Sequence, residues 1–226
     1  ADTGARYHVA HISPAGAVAL VRQVKGEGLP VTTEVCPHHL LLTDRDCAEG
    51  NPDFKMHPPL RTGQDLEACR AGLQDGTIDC LVTDHAPHTA EEKAVGFQGA
   101  PFGIVGLETI VPLLATSLLG GGLLDWSRFV ALLTGNAHGV LGLGPPTLVP
   151  GQLADMCLID PDANWTIRVA DFQSRSRNTP FDGWPVSVRP VATIRDGRFT
   201  YVWPGATARC DNVDAAPVSG SPPAEV

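Results

Sequence analysis

Three short apolar or β-branched stretches of this chain each run into a histidine or an acid and then break, and helix-like segments separate them. The first, Tyr7-His8-Val9-Ala10, ends at His11, just ahead of Ser13-Pro14. The second, Pro30 to Val35, ends in Cys36-Pro37-His38-His39, and the third, Ile78 to Val82, ends in Thr83-Asp84-His85-Ala86-Pro87-His88. Between the first two lies a helical series, Ala17, Val18, Leu20, Val21 and Val24, with Ser13 as its expected cap and Pro14 in its first turn. A second helix is expected from Gln64 to Gln74. Strand and helix in alternation make the β/α pattern of a barrel or doubly wound sheet, in which parallel strands deliver their polar residues to one rim.

Histidine and aspartate at such a rim are what a metal-assisted hydrolase needs. Imidazole nitrogens and carboxylate oxygens bind zinc, which makes water more acidic and polarises a carbonyl. A carboxylate beside that water can take its proton and return it to a leaving nitrogen. His11 and Asp84 suit the ligand and proton-transfer tasks.

Other polar residues read as structural. Alternation along the first strand puts His8 on the face opposite His11, where it is expected to pack against a helix. His38 and His39 are adjacent, so an extended segment cannot aim both at one site. Cys36 sits next to that pair and could approach a metal, although a free thiol is the plainer reading. His85 reads as a support for the site or a loop filler, and His138 as structural. Asp44, Asp46 and Asp65 read as solvated or capping acids, and Glu91-Glu92-Lys93 as an exposed charge run.

Further along, helices are expected over 106–119 and 125–134, the latter capped by Asp125, and a short one from Asn136 to about Gly142. After Gly151 the pattern turns to short strands at 155–159, 165–169 and 191–202, the last split by Asp196-Gly197, a strong hairpin signal. From Gly205 the composition is Ala, Pro, Ser, Gly and Asp with almost no large apolar residue, so 205–226 is expected to be a disordered tail.

The formal net charge of −9 argues against nucleic acid or an anionic membrane as the main partner. No apolar run approaches the roughly 20 residues that span a bilayer. Six cysteines, at 36, 47, 69, 80, 157 and 210, include no CxxC pair and read as free thiols of a reducing, cytoplasmic compartment.

Four motifs in order carry a resemblance to a known family. They are Thr83-Asp84-His85-Ala86-Pro87-His88 with Lys93; Lys55-Met56-His57-Pro58-Pro59-Leu60-Arg61; Pro101-Phe102-Gly103-Ile104-Val105-Gly106-Leu107-Glu108; and Asn178-Thr179-Pro180-Phe181. Together they resemble the bacterial dihydroorotases of the amidohydrolase superfamily, over about Tyr7 to Val202. The resemblance implies an α/β fold: the C-terminal part of a zinc-dependent (β/α)8 TIM-type barrel over 1–150 and part of a small β domain over 151–204. It also implies reversible hydrolysis of L-dihydroorotate to N-carbamoyl-L-aspartate in pyrimidine biosynthesis. On that resemblance His11 is a zinc ligand, Asp84 is both metal-site residue and proton shuttle, and His88 holds the substrate carboxylate. The backbone of Phe102 and Gly103 closes over the ring, and position 57 meets the ring amide.

Two departures matter. Position 57 usually carries asparagine, whose amide offers a donor and an acceptor side by side; neutral histidine offers them on opposite ring edges. The remaining ligands for one or two zinc ions, including the family's His-x-His pair, are absent, so the chain is expected to be the C-terminal half of a longer protein. Three strands cannot close an eight-stranded barrel, and marginal stability or aggregation is expected of the isolated chain. The expected partners are the small-molecule substrate, a second copy of the chain and, as one option, aspartate transcarbamoylase. The alternatives are another cyclic amidohydrolase, such as dihydropyrimidinase or allantoinase, or a non-catalytic subunit that scaffolds the transcarbamoylase.

Overall fold

The computed structural model describes residues 2–206; the tail expectation for 207–226 lies outside the described residues. Three strands, β1 (Tyr7–Val9), β2 (Val31–Val35) and β3 (Cys80–Leu81), form one parallel sheet in the order β1-β2-β3. Helix α1 (Ala15–Gly26) connects the first two; α2 (Pro37–Leu41) and α3 (Gly63–Asp75) lie between the second and third. The expected β/α repeat is therefore present, with all three strand ends at one rim.

Register decides which side chains face the helices. Val9 lies opposite Thr33 and Val35 opposite Leu81, and Val9, Val35 and Leu81 join the core built with Val18, Val21 and Leu73. Alternation sends His8, Thr32, Glu34 and Cys80 to the other face. His8 thus avoids the helices, contrary to expectation. Its Nδ1 is 2.8 Å from Thr32 Oγ1 and its Nε2 3.0 Å from Glu34 Oε2.

The third strand is shorter than its apolar run. Asp79 Oδ2 accepts from Thr33 N at 2.8 Å and from Lys25 Nζ at 2.6 Å, so a side chain takes a donor that a longer strand would pair with backbone.

Beyond the sheet come α4 (Ala90–Lys93), α5 (Gly96–Gly99), α6 (Ile110–Leu114), α7 (Trp126–Leu133) and α8 (Gly135–Leu141). The single helix expected over 106–119 is instead α6 followed by a π turn at Ala115–Leu119. Its start is delayed because 103–106 is drawn into the rim: Gly106 N donates to His85 Nδ1, and a Cβ at 106 would lie 3.0 Å from that of Thr83. Asp125 caps α7 as expected, accepting from Arg128 N at 2.7 Å.

The antiparallel sheet β4-β7-β8 contains β4 (Met156–Asp160), β7 (Arg189–Arg195) and β8 (Arg198–Val202), while β5 (Trp165–Thr166) pairs with β6 (Pro185–Val186). Asp196 and Gly197 have φ of 50° and 76°, the doubly positive turn that the Asp-Gly pair announces. Among the described residues no helix is long and apolar enough to cross a membrane.

Asp65 caps two helices at once. It completes a capping box with Thr62 at the start of α3, and its Oδ1 also accepts from Ala15 N at 2.8 Å. It therefore caps α1 across the structure, in place of the expected Ser13, which is buried. The Ala15 N–H, then the Thr62 hydroxyl, hold its carboxyl below the usual range.

Asp65→Ala should cost about 1–2 kcal/mol, since two caps are lost at about 1 kcal/mol each, read by urea unfolding at neutral pH. Because the folded pKa is depressed, that contribution is present above the unfolded carboxylate value and is lost as pH falls through the folded one. The gap between parent and variant should therefore close on acidification.

Candidate functional site

His11 and Asp84 follow the ends of β1 and β3, and both have left-handed backbones, with φ of 51° and 48°. Only one other described non-glycine residue, hairpin Asp196, has positive φ. Such conformations cost on the order of 1–3 kcal/mol and persist where surroundings over-determine them. Here the strain brings the two residues together: His11 Nε2 lies 3.6 Å from Asp84 Oδ1, with each side chain about one-third exposed, at 30% and 31%.

The back of His11 is held by a residue that the sequence did not single out. Glu34 Oε1 lies 2.9 Å from His11 Nδ1, and its Oε2 binds His8. The backbone carbonyl of Glu34 accepts from Ile12 N at 2.9 Å, which fixes the chain just beyond His11. A carboxylate on Nδ1 keeps the ring proton there and leaves the Nε2 lone pair facing Asp84. An imidazole nitrogen and a carboxylate oxygen at this separation are chemically suited to share a divalent ion, so the donor set fits zinc. The signal for Glu34 was its place two residues before the Cys-Pro-His-His end of β2, on the face shared with His8.

A second group forms around the Phe102 loop. His88 Nε2 donates to Phe102 O at 3.0 Å, and its Nδ1 is 3.5 Å from Glu92 Oε2. Both ring nitrogens of His88 thus have a partner within the chain. The His57 and Phe102 rings are 5.6 Å apart, and both residues are exposed. Gly103 N donates to Lys55 O at 2.9 Å; Gly103 has φ of 108°, and a Cβ there would overlap that of Ala86. The loop thus requires glycine.

What holds this loop against the Asp84–His88 segment is Asn178. Its Nδ2 donates to Ala86 O at 3.0 Å and Gly103 O at 3.1 Å, and its Oδ1 accepts from His88 N at 3.1 Å. Lys93 corrects the reading as an exposed charge. It is 7% exposed and donates to Pro52 O and Pro101 O, and burial lowers its pKa. Lys55 Nζ adds bonds to Gln98 O and Ala100 O and sits 4.6 Å from the Phe102 ring centroid. His85 supports the rim by accepting from Gly106 N, and His138 Nδ1 bonds Gly144 O.

His38 and His39 lie in α2 rather than on an extended segment, so both turn inward and are buried. Burial holds the His38 pKa well below its ordinary value and lowers that of His39 to about 4. Burial, followed by Asp84 and Glu34, pushes the Cys36 thiol up.

Asn178→Ala should destabilise the fold by about 2–4 kcal/mol, because three hydrogen bonds at about 1 kcal/mol each are lost and buried partners are stranded. Amide hydrogen exchange should rise at His88 and Gly103 but not in α1 or α3. Uniform exchange across the chain would contradict the local role of the amide.

Comparison with known proteins places the chain in a family. The model of the amidohydrolase family matches residues 2–200. A dihydroorotase of Pelotomaculum thermopropionicum is 49% identical over 197 residues, covering 87% of this chain and 46% of that protein. One from Anaeromyxobacter dehalogenans is 49% identical over 201 residues, covering 88% and 46%. Among solved structures, the L-hydantoinase (dihydropyrimidinase) of Arthrobacter aurescens superposes with a TM-score of 0.83 at 31% identity, covering 89% of this chain and 46% of that one. The chain spans about half the length of the curated relatives it matches. A polar rim on a parallel β/α sheet, together with a family match over most of its length, identifies this chain as a member of the amidohydrolase family.

Proposed function

We propose that this chain supplies the later β/α units of a dihydroorotase, a cytoplasmic enzyme that opens the cyclic amide of L-dihydroorotate and closes it again. The reading takes 1–150 as barrel and 151–204 as part of a small β-rich unit. The observation that carries it is the opposition of His11 Nε2 and Asp84 Oδ1, with Glu34 on the far edge of the imidazole. Relatives of that activity at 49% identity support the substrate class.

In this reading His11 and Asp84 would hold zinc, and the remaining ligands for one or two ions would come from outside this chain. Zinc bound there would acidify water and polarise the ring carbonyl. Asp84 takes the proton of the attacking water and passes it to the departing amide nitrogen; ring closure runs the same transfer backwards. Glu34 keeps His11 in the tautomer that presents Nε2. His88 turns from Phe102 O or Glu92 to the substrate carboxylate and orients the ring, and Phe102 and Gly103 cover it. His57 offers the ring amide one hydrogen bond where asparagine offers two. A carboxylate-binding histidine at position 88 favours dihydroorotate over the uncharged rings of hydantoinase substrates. A second copy of the chain and a transcarbamoylase are the proposed protein partners.

The test is turnover of dihydroorotate by a protein carrying these residues in a complete barrel, with hydantoin and dihydrouracil in parallel. Preference for the uncharged rings would overturn the assignment. Asp84→Asn should lower kcat by roughly 100-fold or more, as expected for loss of a general base, while KM changes little. Near-normal turnover would remove Asp84 from proton transfer. His88→Ala should raise KM for dihydroorotate by roughly 10- to 100-fold, the scale of a charge-assisted hydrogen bond, and leave an analogue without the carboxylate nearly unaffected.

A further inference from the structure

Away from the facing edges of His11 and Asp84 lies another group of donors. Cys36 Sγ and one ring nitrogen from each of His38 and His39 lie within 4.8 Å of one another. All three residues are buried: Cys36 is 0% exposed, His38 2% and His39 4%. Local structure produces the grouping. Cys36 caps α2, His39 N donates to Cys36 O at 3.1 Å, and the two imidazoles meet edge to face with centroids 4.3 Å apart.

A hydrogen bond shows which lone pair of His39 is available. His39 Nε2 is 2.9 Å from Pro58 O, and a carbonyl only accepts, so Nε2 carries the ring proton and Nδ1 the lone pair. That Nδ1 and His38 Nε2 are buried without a hydrogen-bond partner among the described residues. Buried polar atoms are nearly always satisfied, and exceptions call for a specific cause such as an absent ion. Two such nitrogens on consecutive residues beside a thiol form a donor set that lacks its acceptor.

We propose that Cys36, His38 and His39 form a binding site for a thiophilic d10 cation such as zinc, with ligands distinct from the His11–Asp84 pair. One thiolate and two imidazoles suit zinc or cadmium and discriminate against magnesium and calcium, which need oxygen donors. On binding, the Cys36 S–H bond breaks, its proton leaves to solvent and sulfur bonds the metal; no electron is transferred. Cys36 Sγ is 3.9 Å from His11 Nδ1, the atom that Glu34 holds, so an ion here adjoins the back of the His11–Asp84 pair. The inference goes beyond the proposed hydrolysis and does not depend on its substrate.

Cadmium alone is the probe, added to the metal-free 226-residue chain and followed by the ultraviolet thiolate-to-cadmium charge-transfer band and by cadmium NMR. One equivalent should produce the band with a shift typical of mixed sulfur and nitrogen ligation. The band should disappear in Cys36→Ser, survive in Asp84→Asn, and survive when Cys47, Cys157 and Cys210 are all serine. His38→Gln and His39→Gln should each weaken cadmium binding at least tenfold. If Cys36→Ser fails to fold by circular dichroism, the two histidine variants decide. A parent without the band, a band that persists in Cys36→Ser, or unchanged affinity in both histidine variants would each overturn the site.

Discussion

Parallel pairing of β1, β2 and β3 is the constraint from which the rest of this structure follows. Parallel strands need crossover connections, here helical, so every strand ends on the same side of the sheet. Val9, Val35 and Leu81 bury one face against α1, α3 and their neighbours. The opposite face is left to His8, Thr32 and Glu34, and the rim to His11 and Asp84. Polar chemistry collects there because helices occupy the other apolar surface.

Within that frame, strain and hydrogen bonding work together. His11 and Asp84 leave their strands in left-handed conformations that aim their side chains at each other. Glu34 offsets part of that cost by binding the His11 ring and, through its carbonyl, the following residue. The loops above are fixed in a similar way: Asn178, Lys93 and Lys55 satisfy backbone carbonyls that would otherwise be stranded beneath Phe102 and Gly103. The rim is thus pre-organised by Glu34 behind His11 and by side chains that tie the loops above it.

Much of this was legible in the order of residues. The β/α alternation, the Asp125 cap and the Asp196-Gly197 hairpin are local codes, set by hydrophobic period and turn chemistry over a few residues. His11 and Asp84 stood out because each terminates a strand-like run. His8 and Lys93 were misread for one shared reason: their surroundings come from distant segments. Lys93 reads as exposed in a charged run, yet Pro52, 41 residues away, supplies one of its acceptors. His38 and His39 could not share a site from an extended chain, and one short helix removes that restriction.

By itself, then, the sequence determined the repeating β/α architecture and which residue types end the strands, since these depend on local propensity and periodicity. The tertiary structure decided how those ends work together: that Glu34 holds two histidines, that Asn178 ties loops as far as 92 residues apart, and that Asp65 caps a helix 50 residues away. Such contacts depend on the register of parallel strands and the packing of crossover helices, and no local window of the chain contains both partners.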